Sequence, residues 1–456
     1  MKKLALLFGI SAATMHSEND VTNTNISQKV KSELHYSYSD LMEVVSSFID
    51  EMDKGWMAAE GKGANADQSS LKMITSHINI LPTGDESGVY FAVDLGGTNI
   101  RVLRVVLENG GASTTEHREA IPDRVMSKDA TCDELFDFIA NACSKLCQDL
   151  PADIDPVPLG FTFSFPYSQT SIKSGTLIEW TKGFETRNCI GSDPAFLLQA
   201  ALDRKQIPLI VDALCNDTVG TLMTNAYMKK SRDCRIGVIL GTGTNAAYSD
   251  PSLGNLIVNI EWGGFNKLKR SKFDQQVDIS SPNPGKQFLE KMVSGMYLGE
   301  LTRLATIAEL TERNLPVPEA ISEYHSLETA TISDLLCGSI PRMSQPPLSL
   351  LDDRTIYIIK SLAELVIDRS AAIAAAALAA VVMRATKGQA SIKCEVGIDG
   401  SLYTKGHRYN ERLVFYLDKL FPGSSHLISL DFSEDGSGLG AALVAAAIAH
   451  GHRVSI

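Results

Sequence analysis

No Cys-x-x-Cys pair and no Cys/His spacing suited to zinc occur in this chain, which argues against a structural zinc site. No Lys/Arg block is longer than a few residues, and 42 Lys+Arg stand against 54 Asp+Glu for a formal net charge of -12. A polyanion is therefore a poor main partner, because nucleic-acid binding needs a basic surface that releases counterions. There is no Gly-x-x-x-x-Gly-Lys-Ser/Thr loop, and no Gly-x-Gly-x-x-Gly stands between a strand and a helix with an acidic residue after it, so a P-loop and a Rossmann fingerprint are both excluded. Beyond the first residues the longest apolar run, Ala371 to Met383, falls short of the roughly 18 residues needed to cross a bilayer. It reads as a buried, alanine-rich helix.

What is there is a folded globular chain of 456 residues, 44% hydrophobic, with 34 Gly and 17 Pro. That length gives a prior of two or three domains and a core large enough to do without staples. The eight cysteines are scattered and read as reduced and intracellular; Cys143 and Cys147, four apart, read as one apolar stripe of a helix. Met1-Lys2-Lys3 followed by the apolar stretch Leu4 to Ala13 has the look of a secretory signal or a membrane-touching tail. Export would make Asn216-Asp217-Thr218 a glycosylation sequon, in conflict with the role argued for it below. The reading is a cytoplasmic enzyme whose residues 1–13 form a hydrophobic tail, free to touch a membrane.

Residues 14–30 read as a flexible lead-in, and Ser32 to Met57 as helical. Val89 to Asp94 is the first strong β signal; it runs into Leu95-Gly-Gly-Thr98 and resumes at Arg101 to Leu107, a hairpin with a polar tip. Thr131 and Glu134 form a capping box before a helix running to about Gln148, and Pro158 to Phe163 is another strand. The device recurs where Arg235 to Leu240 enters Gly241-Thr-Gly-Thr-Asn245. The shared Gly-Thr-Asn ending suggests two related α/β halves facing across a cleft. A third glycine turn is Gly397 to Ser401, and a fourth, Gly436-Ser-Gly438-Leu-Gly440, opens a helix over 441–449.

Glycine lets backbone N–H groups approach an anion and take positive φ, and a helix start adds partial positive charge, so such turns suit phosphates. Each turn alone also has the plain reading of a chain reversal. Asp94, beside two glycines, suits Mg²⁺ held through water or a turn cap. Asn216-Asp217, after the strand Pro208 to Asp212, suits an N-cap or a general base near a bound hydroxyl. Spacing leaves both pairs of readings open.

Phe91-Ala-Val-Asp-Leu-Gly-Gly-Thr-Asn99, Leu159 to Pro166, Glu179-Trp-Thr-Lys-Gly-Phe184, Asn216 to Gly220, Gly237 to Asn245 and Asn259-Ile-Glu-Trp-Gly263 together resemble the eukaryotic hexokinases in order and spacing. Pro284 to Met292, Ser294 to Glu300 and Gly397 to Tyr403 extend the resemblance to roughly residues 35–450, the length of a single hexokinase unit. It implies an α/β, actin-like ATPase (ribonuclease H-like) fold with two domains around a substrate cleft. The expected boundaries are 84–217 plus 437–456 for the small domain and 31–83 plus 218–436 for the large one. The implied reaction is transfer of the γ-phosphoryl group of Mg²⁺-bound ATP to the 6-hydroxyl of glucose and related hexoses.

By motif, the resemblance makes Asp217 the base and Asn216 a sugar ligand, and it assigns further sugar contacts to Ser164, Thr181, Lys182, Asn245, Glu261 and Glu290. Such a set of acceptor-only carboxylates, amides and a cation suits a ring of hydroxyls, although Lys182 and Glu290 also read as ordinary solvated charges. Lys182 is further placed to stabilise the transferring phosphoryl group. Asp94 with Gly96, Gly97, Thr98 and Asn99 forms the first phosphate turn, Gly241, Thr242, Gly243 and Thr244 the second, and Gly436, Ser437 and Gly438 a turn at the nucleotide; Arg101 braces the first turn through a carboxylate or phosphate. Closure on the sugar would keep water from ATP.

One departure from the family pattern is Leu439, where many members carry a basic residue. It keeps pyrophosphate open as an alternative donor. A glucose sensor on the same fold would dispense with Asp217, and an actin-like filament protein would have no use for Ser164, Glu261 and Glu290 together.

Overall fold

The computed structural model describes residues 26–59, 69–151, 154–165, 167–180, 183–338, 351–389, 391–433 and 435–454. The tail over residues 1–13, most of the lead-in, and Thr181 and Lys182 lie outside the described residues. Among the described residues thirteen strands fall into two large sheets and a small hairpin. The first sheet takes β2 (Gly88–Leu95), β3 (Asn99–Glu108), β4 (Gly111–Ala120), β5 (Val157–Phe163) and β8 (Leu209–Cys215) in the order β4-β3-β2-β5-β8. The second takes β1 (Ile74–Thr75), β9 (Cys234–Leu240), β10 (Thr244–Asp250), β11 (Leu256–Asn259), β12 (Cys394–Asp399) and β13 (Ile428–Phe432) in the order β1-β11-β10-β9-β12-β13. Between them β6 (Tyr167–Ser171) and β7 (Ser174–Leu177) pair alone.

Both sheets are built on one plan. In each, a glycine-tipped hairpin (β2–β3, β9–β10) pairs through its first strand with a parallel strand on the other side (β5, β12), and one further parallel strand closes that edge. Parallel central strands covered on both faces read as continuous apolar runs, which is what Val93, Phe161 and Val238 belong to. The open edge of the first sheet is β4, whose Ser-Thr-Thr-Glu-His-Arg sequence keeps it polar and mostly exposed.

The core of the second half is the helix Asp353–Ala385, 33 residues long and buried from Ser370 to Met383. Its best 18-residue window has a mean hydropathy of 1.9 and is 89% buried in the fold, so an element apolar enough for a membrane here serves as a core helix. Its alanines let the helices Tyr38–Ala59 and Tyr409–Leu420 approach closely.

Two helices join the halves. Asp217–Lys229 leaves β8, and Gly436–Val454 packs against it and against β5. A Cβ on Gly440 would stand 2.2 Å from Gly220 Cα, and one on Gly160 1.9 Å from the Ala441 carbonyl oxygen, so only glycine permits these approaches.

Several expectations change in detail. The single helix read over 32–57 is two, Gln28–Leu34 and Tyr38–Ala59, and the fourth glycine turn is itself the start of its helix. The Thr131/Glu134 capping box forms, but its helix stops at Ser144, with Cys147 beyond it. The reading of all cysteines as unpaired is corrected: Cys132 and Cys189 are disulfide-bonded, because Thr131 and Arg187 pair as an isolated bridge and bring the two Cα atoms to 5.4 Å. Cys143 and Cys147 are free, but with Cys147 past the end of the helix they do not form a helical stripe; burial pushes the Cys147 thiol up to about 11.

Candidate active site

Asp217 begins its helix and Asn216 caps it. The Asn216 side chain accepts from the Thr218 N–H at 3.0 Å and from the Thr218 hydroxyl at 2.7 Å, while Asp217 Oδ1 accepts from the same N–H at 2.8 Å. The sequence left a choice between an N-cap and a functional pair; Asn216 takes the cap, and Asp217 stands in the first turn of the helix.

Around this helix start the carboxylates converge. Burial pushes the Cys215 thiol up to about 12, a hydrogen bond with Thr162 draws it down, and both Asp94 and Asp217 add to the rise, so those two carboxylates flank one buried residue. The Tyr167 hydroxyl is driven far up by burial, with Glu261 and Asp217 both acting on it. Asp217 thus shares the electrostatic surroundings of Asp94 through Cys215 and of Glu261 through Tyr167. A narrow crevice meets this point, lined by Ile74, Ser76, Phe165, Tyr167, Asn216 and Glu261 among others.

On the second-sheet side an amide–carboxylate ring is fixed. Asn245 Nδ2 donates to Asn259 Oδ1 at 2.9 Å and reaches Asn216 Oδ1 and Glu261 Oε1 at 3.4 Å each, while Asn259 Nδ2 donates to Glu261 Oε1 at 2.8 Å. Glu261 has φ 56, a left-handed conformation that a non-glycine residue holds only when its surroundings impose it. Glu290 joins from the helix Phe288–Val293, its Oε2 accepting from the Thr244 N–H at 3.2 Å. A Cβ on Gly243 would come within 2.8 Å of that same oxygen. Ser164 is half-buried between Phe163 and Phe165, whose rings pack with Trp180 at 6.0 and 4.9 Å. This aromatic cluster fixes the chain on either side of Ser164.

Of the four glycine turns the third takes positive φ, at Gly400 with φ 121, and the others are built differently. None of Gly96, Gly97, Gly241, Gly243, Gly436 and Gly438 lies in the left-handed region. Gly96 N–H bonds to the Asn99 carbonyl at 3.1 Å and Thr98 O accepts from Ile121 N–H at 2.9 Å, so the first tip is closed by its own backbone. In the second tip, the carbonyls of Gly241 and Thr242 accept from the N–H groups of Gly295 and Met296 at 2.8 and 3.1 Å. The Thr244 hydroxyl donates to the Ile239 carbonyl and accepts from Trp262 Nε1, both at 2.9 Å, and its N–H donates to Glu290, so this side chain braces the second tip.

Two residues without an assigned role complete the third region. Asp399 Oδ1 accepts the Gly400 N–H at 2.6 Å and feels the backbone at the start of the last helix, where the Gly436 N–H itself donates to the Ser433 carbonyl at 3.2 Å. Burial pushes the Asp399 carboxyl up, the Gly400 N–H and that backbone draw it down and Asp435 adds to the rise. Arg101 pairs with Asp435 at 2.5 Å and with Glu116 at 3.2 Å, which is the bracing by carboxylate, aimed at the last helix. Ser437 Oγ donates to Asp94 Oδ2 at 3.3 Å and Thr162 Oγ1 to the Ser437 carbonyl at 3.1 Å, so the first turn and the last helix are physically joined. Gly438 packs against Leu103 and Asp435, where a Cβ would stand at 2.6 and 2.7 Å.

Comparison with known proteins decides the family. The family description "Hexokinase" matches twice, over residues 26–227 and 235–447. The chain belongs to the hexokinase family. It is 38% identical to Hexokinase-2 of Solanum tuberosum over 89% of this chain and 87% of that one, and 37% identical to the Toxoplasma gondii hexokinase over 89% and 93%. Among solved structures, a hexokinase of Schistosoma mansoni complexed with glucose superposes with a TM-score of 0.79 at 35% identity, covering 92% of this chain and 97% of that one. Another hexokinase structure gives a TM-score of 0.83 at 33% identity, covering 92% and 98%. The two like sheets are those of the actin-like ATPase fold.

Proposed function

We propose that this hexokinase transfers the γ-phosphoryl group of ATP to the 6-hydroxyl of glucose and related hexoses. The observation that supports it most directly is Asp217 at a helix start, next to Asn216, whose side-chain oxygen is reached by the Asn245–Asn259–Glu261 ring. In this reading Asn216, Asn245, Glu261, Glu290 and Ser164 bind the sugar hydroxyls, and the family motif assigns Thr181 and Lys182 to the sugar as well. Asp217 accepts the proton of the 6-hydroxyl as its oxygen bonds to the γ-phosphorus; the bond from that phosphorus to the β–γ bridging oxygen breaks, and ADP leaves with the electron pair. Positioning and charge carry most of this step, and the Lys182 ammonium stabilises the equatorial oxygens.

Among the described residues no three His, Cys, Asp or Glu side chains cluster as a metal cage. A cation held mainly by phosphate oxygens and water fits that donor set, with Asp94 holding one such water. When bound, Mg²⁺ supplies positive charge to the phosphates. Arg101 acts as a positioning residue through Asp435, and Gly96 to Asn99 with Gly241 to Gly243 shape the phosphate turns. We place the enzyme in the cytoplasm.

Pyrophosphate stays a second reading on one observation: Leu439 is 7% exposed and packs in the core with Leu103 and Val219, so no charge stands there for a nucleotide. A coupled assay for hexose 6-phosphate with Mg²⁺, glucose and either donor tests both readings. ATP-driven turnover is expected, with Asp217→Asn slowing it at least about a hundredfold while glucose binding persists. Turnover with pyrophosphate alone would move the donor; glucose binding without turnover would make the protein a sensor.

A further inference from the structure

Far from the glucose crevice in the chain, a thiol, an imidazole and a carboxylate line up. Cys337 follows the helix Thr329–Leu336 and is the one exposed free thiol among the described residues; Cys143, Cys215, Cys234 and Cys394 are buried, Cys147 is half-buried, and Cys132 and Cys189 are bonded to each other. Cys337 Sγ lies 3.5 Å from His407 Nδ1. On the other side of the ring, His407 Nε2 stands 3.4 Å from Glu364 Oε1, and Glu364 is itself held by Arg412.

This order has a chemical consequence. An ionised carboxylate only accepts, so the ring proton belongs on Nε2, and Nδ1 then presents its lone pair to the thiol. A nucleophile beside a base that a third group orients is the arrangement that activates cysteine. The carboxyl end of the Thr329–Leu336 helix, with its partial negative charge, opposes a free thiolate at Cys337. Stabilisation of the anion therefore falls to the imidazolium of His407. Three separate elements supply the three groups: the end of one helix, the turn between the helices Ser401–Lys405 and Tyr409–Leu420, and the core helix Asp353–Ala385.

We propose that Cys337, His407 and Glu364 form a reactive-thiol site that takes a low-molecular-weight disulfide of the glutathione class. His407 Nδ1 accepts the thiol proton and Cys337 sulfur attacks one sulfur of the disulfide. A new S–S bond forms as the ligand's own S–S bond breaks, and the departing thiolate takes the proton back from the imidazolium. Cys337 is oxidised to a mixed disulfide, and the departing half of the ligand is reduced to a thiol. Arg408 pairs with Glu411 and Arg412 with Glu364 and Asp368, so the site's selectivity rests on the thiol, the imidazole and the disulfide chemistry and not on ligand charge.

The test uses the full chain and glutathione disulfide, with peptide mass spectrometry following each cysteine over time. The expected result is first and fastest adduct formation at Cys337, slowed about tenfold in His407→Gln while the rate at Cys147 is unchanged. Equal rates at Cys337 in the two proteins, or first modification at Cys147, would overturn the proposal. A second measurement needs no variant: iodoacetamide must alkylate Cys337 of the unmodified protein faster than it alkylates free glutathione at the same pH. A rate equal to or below that of the free thiol would mean exposure without activation, and the proposal would fall.

Discussion

Asn259 accepts from Asn245 and donates to Glu261, so one amide fixes two of the groups assigned to the sugar, and it does so from a 6% exposed position at the end of β11. A hydrogen bond to a charged group contributes about 1.5–3 kcal/mol, a factor of roughly 10 to 100 in affinity. Asn259→Leu is expected to raise the KM for glucose by at least about tenfold with a smaller fall in kcat, since the ring holds sugar contacts and leaves Asp217 in place. Steady-state kinetics with glucose varied checks it, and an unchanged KM would show that Glu261 keeps its left-handed geometry without help. At this scale the sequence was legible wherever a residue acts through its neighbours: Asn216-Asp217 at a strand-to-helix turn could be found by eye. Asn259 stood in the quoted Asn-Ile-Glu-Trp-Gly run, yet its role needs Asn245, 14 positions away on the next strand.

The glycine turns teach a different lesson at the scale of elements. Their places were readable, since two hairpins and a helix start lie where glycines interrupt apolar runs. Their physical reason was readable only in part: positive φ holds at Gly400 of the third turn, while close approach explains Gly436, Gly438 and Gly440. Gly440 meets Gly220 where the helices Asp217–Lys229 and Gly436–Val454 cross, and that crossing carries both Asp217, the proposed base, and the Ser437–Asp94 contact. Gly440→Val has no room for its side chain against backbone atoms. Overpacking of a tight contact costs about 1–3 kcal/mol, so the variant is expected to lose that much stability in urea unfolding. Turnover should fall by more than the folded fraction explains, because the spread helices separate Asp217 from Ser437. A variant with unchanged unfolding and full activity would show that the helices slide apart freely.

Across the whole molecule, contacts far apart in sequence were the part no pattern revealed. Arg101 and Asp435 are 334 positions apart, and Cys132 and Cys189 are 57 apart, joined only because a strand-like bridge brings them together. Glu309 is of the same kind: its carboxylate accepts from the Ser27 N–H and hydroxyl, 282 positions away, and pairs with Arg313 at 2.6 Å, tying the first described helix to the second half of the fold. Burial raises its pKa, but the Ser27 and Arg313 bonds outweigh that and leave it below 4.5; Asp40, Glu51 and Asp250 are lowered for like reasons. For such groups the unfolded chain binds more protons, so their stabilisation is present above the unfolded pKa and lost as pH falls through the folded one. Asp399, raised by burial, works with the opposite sign and loses stabilising effect as pH rises from 3.8. The lowered groups outnumber it, and stability is expected to fall as the pH drops below about 4.5. Glu309→Gln should be less stable than the native chain at pH 7 and close the gap on acidification, as native Glu309 takes up its proton. Urea midpoints for both proteins between pH 7 and about pH 3 read this directly; a gap that stayed constant would assign the effect to shape and not to charge.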